Sequence, residues 1–217
     1  MKGLMIKDFM NLKKNAKIFS VITLLYIFMA YMQKDASFFS GIFTMVFAIL
    51  TLSLYSYDEM AKWDGYALTM PVSKENIVQG KYLMMLLLTA IGTTISVLFT
   101  VILNIVLKSD SAFTGLSACA IGAAVVILFY CVTLPFITKL GVEKARFIFF
   151  AVYLVPFLVI ILARRVMDGV NATVPSLLIK IMHWVISNIA VILPIAVVIA
   201  LTISYLISIR IYKKKEF

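Results

Sequence analysis

The chain has 217 residues, 63% of them hydrophobic and 14% charged, with a mean hydropathy of +1.06. Those values exclude a water-soluble domain and leave a polytopic membrane protein. The formal net charge of +10 is read as topology and contact with anionic lipid, not as nucleic-acid binding, because basic and aromatic residues do not interleave.

Residues 1–15 carry Lys2, Lys7, Lys13 and Lys14 ahead of an apolar run. No small-residue cleavage site follows Met32, so the segment is expected to stay in the mature chain. At helical spacing Met1, Met5, Phe9 and Leu12 share a face, which suits a helix lying in the membrane interface; a basic flank that only orients the first span is the alternative. A helix needs about 20 apolar residues to cross the hydrocarbon core. The runs 17–32, 36–56, 77–107, 112–138, 147–163 and 185–209 are read as six such spans in a single transmembrane domain, 1–217. The expected fold is all-α and polytopic. A barrel would show short segments of alternating polarity, whereas Val185 to Val198 is apolar on every side.

With a cytoplasmic N-terminus, the inner side carries Lys2, Lys7, Lys13, Lys14, Lys17, Lys62, Lys74, Lys81, Lys139, Lys144, Arg146, Arg210, Lys213, Lys214 and Lys215. The outer side keeps Lys34, Lys108, Arg164, Arg165 and Lys180. This division of the 20 basic residues follows the positive-inside rule and sends both termini to the cytoplasm.

Catalytic constellations are missing from the sequence. Cys119 and Cys131 lie about 18 Å apart on one predicted helix, too far to pair, and are read as small packing residues. His183 is the only histidine and has no clustered ligands for a metal site; beside Trp184 it reads as an interfacial anchor. Gly80-Lys81 is preceded by Glu75 and followed by Tyr82, so the phosphate-cradling loop motif fails at both ends and no nucleotide is expected on this chain. All ten acidic residues fall outside or at the edges of the spans, which disfavours an ion-coupled carrier.

Between the second and third spans lies a polar island, Tyr57 to Asn76, with Trp63, Tyr66 and Pro71 among charged side chains. The stretch from Asp58 to Met70 is predicted as a short helix stopped by Pro71, after which Ser73 caps the next helix and Glu75 complements its dipole. Trp63, Tyr66 and Met70 then share a face, with Asp58, Glu59 and Asp64 at its rim and Lys62 beside it. That face is either a knob for a soluble partner or a headgroup anchor.

Six spans, a basic interfacial start, and Trp63-Asp-Gly-Tyr66-Ala-Leu-Thr-Met-Pro71-Val-Ser73 running into Gly80-Lys81-Tyr82 resemble the membrane subunits of type-two ABC exporters. The likeness is closest to the small bacterial permeases that export phenol-soluble modulins and antimicrobial peptides. The resemblance implies that residues 1–15 correspond to the elbow helix and Asp58–Met70 to the coupling helix, which docks on a separate cytoplasmic ABC ATPase carrying ATP and Mg. It also implies a dimer of permeases, identical or not, in a bacterial cytoplasmic membrane, moving amphipathic or hydrophobic peptides outward. A membrane sensor or immunity component that docks a soluble partner without transport is the alternative. No cofactor is expected in this chain.

The second inner loop, Gly141, Glu143, Lys144 and Arg146, is either a secondary cytoplasmic contact or a plain loop whose Gly141 ends the fourth helix. Thr93, Ser96, Thr100 and Asn104 stack on one face of the third span, as candidates for lining the pathway or for joining helices. Pro135, Pro156 and Pro194 fall within spans and each frees a backbone carbonyl. Arg164 and Arg165 open the outer segment that runs to Pro175; the resemblance puts them near the exit, and snorkelling at the membrane edge explains them equally.

Overall fold

A computed structural model describes residues 2–13, 16–33, 50–67, 69, 73–106, 115–145, 147–148, 154 and 187–215. No strand occurs among them. The reason is solvent: in lipid a backbone N–H has no water to bond, and a helix satisfies each group within its own segment.

Helix α1 spans Lys2–Lys13 and α2 spans Ala16–Gln33, the latter coinciding with the first predicted span. Residues 50–60 form α3, which covers the end of the second predicted span and continues four residues beyond it. A five-residue helix α4, Trp63–Ala67, follows a turn. Then come α5, Lys74–Val106, α6, Leu116–Leu140, and α7, Ile189–Lys214. Each of the last three is long and apolar enough to cross a membrane. They match the third, fourth and sixth predicted spans. The second span before residue 50 and nearly all of the fifth lie outside the described residues.

The helix ends follow from local chemistry. Ser73 Oγ accepts the Asn76 N–H at 3.2 Å, the N-cap expected from sequence, and Glu75 stands in the first turn of α5. At 33 residues α5 is about 50 Å long, well beyond the thickness of the hydrocarbon core. Its first turns therefore belong to the charged end of the bundle. Gly141 ends α6 with φ 82 and ψ 169, and its N–H bonds to Ile137 O; that region of backbone space is open to glycine and strained for other residues. The helical turn 142–145 follows directly.

Helices α5, α6 and α7 pack against one another, and α1 packs on α5. Their common core holds Tyr82, Met85, Val126, Tyr130, Leu134, Ile137 and Tyr212, with Tyr55 of α3 and Ala67 of α4. In lipid the burial of apolar side chains supplies little net drive between helices, so close packing and interhelical hydrogen bonds decide the association. The Tyr82 hydroxyl makes two such bonds across α5 and α7, to Ser204 Oγ at 2.6 Å and Ser208 Oγ at 2.8 Å. Its ring meets Tyr205 edge-on at 5.6 Å.

Candidate functional site

The charged side chains of α1, α3 and α5 converge at one end of this bundle. Asp58, in the last turn of α3, is buried. Lys7 Nζ donates to its Oδ1 at 2.5 Å, and Lys81 Nζ lies 3.6 Å from Oδ2. The same Lys7 ammonium stands 3.1 Å from Asp8 Oδ1 and 4.2 Å from the centroid of the Trp63 ring. Lys81 faces the Tyr55 ring at 4.5 Å. Two ammonium groups thus balance two carboxylates, and each also rests on an aromatic face, where the ring quadrupole attracts a cation.

Asp8 is the uncomfortable member of the cluster. It is buried, and its Oδ1 has no well-directed hydrogen bond despite the nearby ammonium. Burial pushes its carboxyl above the ordinary value of 3.8; Lys7 opposes that rise and the charge of Asp58 adds to it.

Glu59, one residue beyond Asp58, reaches another element. Its Oε2 accepts the Val142 N–H at 2.5 Å, capping the turn 142–145 and binding the end of α3 to the loop after α6. A Cβ on Gly141 would collide with this carboxylate. Between these contacts lies a cavity of about 80 Å³ lined in part by Asp58, Glu59, Lys81 and Thr138, polar and roomy enough for several waters.

The tail of α7 is fastened to the same end. Lys74 Nζ donates to the carbonyl oxygens of Lys213 and Lys215 at 3.2 Å each, where the C-terminal end of a helix favours a cation. Lys213 Nζ pairs with Glu75 Oε1 at 2.5 Å, but both side chains are half exposed, so this pair adds little stability.

The helix expected from Asp58 to Met70 is broken in the structure. Helix α3 runs on to residue 60, the Lys62 N–H folds back to Glu59 O at 3.0 Å, and Lys62 takes φ 48. The inward ties of Asp58 and Glu59 set the direction of the last turn of α3. The chain then turns, and Trp63 packs over Lys7 at the start of α4. Ala67, 1% exposed, seats the other end of α4 in the core. Trp63 and Tyr66 do pair, with ring centroids 5.5 Å apart. Trp63 is half-buried against the core, while Met60 is 83% and Tyr66 59% exposed, with Lys62 exposed between them. Met70, Pro71 and the side chain of Asp64 lie outside the described residues.

Of the second loop, Gly141 terminates α6, Glu143 and Lys144 are exposed, and Arg146 lies outside the described residues. On α5, Ser96, Thr100 and Asn104 are buried and Thr93 half-buried. The Ser96 and Thr100 hydroxyls stand 3.6 and 3.7 Å from Cys119 Sγ on α6. Ser96 and Thr100 of the polar stripe therefore meet α6, while the Thr93 hydroxyl bonds to the Thr89 and Ala90 carbonyls of its own helix. His183, Arg164 and Arg165 lie outside the described residues. Among the described residues no three His, Cys, Asp or Glu side chains gather as a metal site.

Sequence reasoning missed the ion-pair cluster, because Lys7 and Lys81 read as inner-side basic charges and Asp58 as the rim of a docking face. It also missed the bond of Tyr82 to α7, although Ser204 and Ser208 sit four apart, the spacing of a polar helix face.

An apolar three-helix core with a charged platform at one end suits a membrane transport subunit, and the sequence agrees. The model of one protein family, described as ABC-2 family transporter protein, matches residues 3–213. The chain belongs to that family. No curated protein and no solved structure matches it. Membership makes this chain an ABC-2 type permease, the membrane component of a transporter. For such an ABC-2 chain the match takes in nearly all of α1, the charged cluster and, but for the last residue, the three membrane-length helices found among the described residues.

Proposed function

We propose that this ABC-2 permease is one half of an ATP-driven exporter whose ATP and Mg sit on a separate ABC ATPase. The observation that carries the reading is the exposure of Met60, at the end of α3, and Tyr66, on α4, at a corner otherwise clamped to the bundle. Exposed apolar side chains held on a rigid base, outside the apolar spans, suit insertion into a pocket of a soluble partner. Asp58 and Glu59 are the clamps in this reading: their carboxylates engage Lys7, Lys81 and the Val142 N–H, not the rim of the interface. Met60, Lys62 and Tyr66 make the contact, with Trp63 beneath them, and Glu143 and Lys144 form the neighbouring edge.

Force applied at α4 and the end of α3 has direct routes to neighbouring elements. Trp63 bears on Lys7 of α1, and Glu59 on the start of the turn after α6. A second permease completes the transporter, and the carboxylate-poor apolar spans favour an amphipathic or hydrophobic peptide as cargo over an ion or a sugar. The test is capture of the tagged chain in mild detergent followed by ATP turnover. An ATPase that co-purifies, is stimulated by the permease, and is lost on Tyr66→Ala supports the reading. A partner captured without stimulated turnover favours a docking platform, and capture unaffected by Tyr66→Ala removes α4 from the interface.

A further inference from the structure

A small cavity lies at the junction of α1, α3 and α5. Its volume is about 10 Å³, the space of one water molecule. Asp8 of α1 lines it, with Thr51, Tyr55 and Asp58 of α3 and Lys81 and Met84 of α5. Thr51, Tyr55 and Asp58 occupy positions i, i+4 and i+7, one face of α3. Along α1, Asp8 stands between Lys7, which pairs with Asp58, and Leu12, which packs on Leu50, Leu54, Met84 and Leu88.

Two of the lining side chains carry a buried oxygen that makes no hydrogen bond within the protein: Oγ1 of Thr51 and Oδ1 of Asp8. Thr51 is 1% exposed and Asp8 7%, so neither oxygen is open to bulk solvent. Buried polar groups left unpaired are costly, and internal water bridges them where the space allows. The charges decide which small molecule fits. Lys7 Nζ lies 3.1 Å from Asp8 Oδ1 and Lys81 Nζ 3.6 Å from Asp58 Oδ2, so two ammonium groups already balance the two carboxylates. A metal cation placed here meets both ammoniums, and an anion meets both carboxylates; a neutral molecule meets neither penalty. Water has the size, one hydrogen to donate to Asp8 Oδ1, and a lone pair to accept the Thr51 hydroxyl proton.

We propose that this cavity is a hydration site, in which one ordered water bridges the Asp8 carboxylate of α1 to the Thr51 hydroxyl of α3. The water holds α1 on α3 by a bond that neither helix makes directly, alongside the Lys7–Asp58 pair. The site concerns neither cargo nor ATPase, and it stands whether or not α4 docks a partner.

The test is radiolytic hydroxyl-radical labelling of the detergent-purified full chain, read by mass spectrometry beside thermal melting. The radicals form from water itself, so a side chain next to a bound water is oxidised even where bulk solvent does not reach. Met84 and Met85 are equally enclosed, 1% and 0% exposed, and of the two only Met84 lines the cavity. The expected result is oxidation of Met84 well above Met85, with loss of that excess in Thr51→Val, which keeps the shape and removes the hydroxyl. Thr51→Ser keeps the hydroxyl and should keep the label. Melting separates a wet cavity from a dry one by sign. Loss of a water bridge should lower the melting temperature of Thr51→Val by about 2–4 °C, the scale of one hydrogen bond in a chain of this length. In a dry cavity the same change removes an unpaired hydroxyl and raises it. Equal oxidation of Met84 and Met85 in the wild-type chain would overturn the site, as would a higher melting temperature for Thr51→Val. So would a wild-type melting temperature that rises when sodium replaces N-methylglucamine in the buffer while that of Thr51→Val does not, because a cation would then be the occupant.

Discussion

Lys7 and Asp58, 51 positions apart in sequence, meet at 2.5 Å and tie the N-terminal helix to the end of α3. Asp58 is nearly enclosed, its side chain 9% exposed, and its second basic neighbour, Lys81, is farther off at 3.6 Å. The nearer ammonium therefore contributes more to offsetting the desolvation of Asp58.

Lys7→Met should cost about 1–3 kcal/mol, because a buried carboxylate loses its closest partner and the Trp63 ring loses its cation. The exchange Lys7→Asp with Asp58→Lys should recover part of the loss. Thermal unfolding in detergent measures both, and additive losses in the double variant would mean that the pair does not act as a pair.

Asp8 predicts a dependence on pH. Its folded-state pKa lies above the ordinary 3.8, so between 3.8 and the raised value the folded chain holds a proton that the unfolded chain has released. Stability contributed by this residue is consequently greatest in acid and falls as pH rises through that window. Asp8→Asn should flatten that part of the profile and leave the protein no less stable at neutral pH. Melting temperatures taken across the acid range provide the check.

Two glycines should respond oppositely to alanine. Gly141→Ala meets the Glu59 carboxylate and a φ of +82, and should cost about 1–3 kcal/mol. Gly65, in α4, has nothing within 4 Å of a built Cβ, and Gly65→Ala should be neutral or stabilise by up to about 1 kcal/mol. Paired melting curves distinguish them.

Tyr82→Phe should destabilise the bundle by about 1–3 kcal/mol, since Ser204 and Ser208, both buried, lose the hydroxyl that bridges them. The loss should appear in the unfolding of the chain itself, with or without any partner present.

Tyr66→Ala should weaken capture of an ATPase about tenfold or more, as loss of an interface aromatic does, without moving the melting temperature. Trp63→Ala should lower both, because its ring is packed on the core and on Lys7. A titrated pull-down run beside the melting curves tells the two roles apart.

The sequence by itself determined the class, the three membrane-length helices among the described residues and several helix ends. Long unbroken runs of Leu, Ile and Val, without the alternating polarity of barrel strands, satisfy their backbones in lipid as helices, and Ser73 and Gly141 act through the few residues next to them. The island from Tyr57 to Asn76 was legible as the charged interruption, and Trp63 with Tyr66 as its aromatic pair. Its internal shape was not legible, because the break at Ala61–Lys62 accompanies contacts with Lys7, Lys81 and Val142, which come from other elements. Which polar residues face inward also needed the tertiary structure. Ser96 and Thr100 form a stripe on α5 whether or not a neighbour stands against it, and only Cys119 of α6 makes that stripe a seam. Periodicity marks a face of a helix, while the packing of the other helices decides what that face meets.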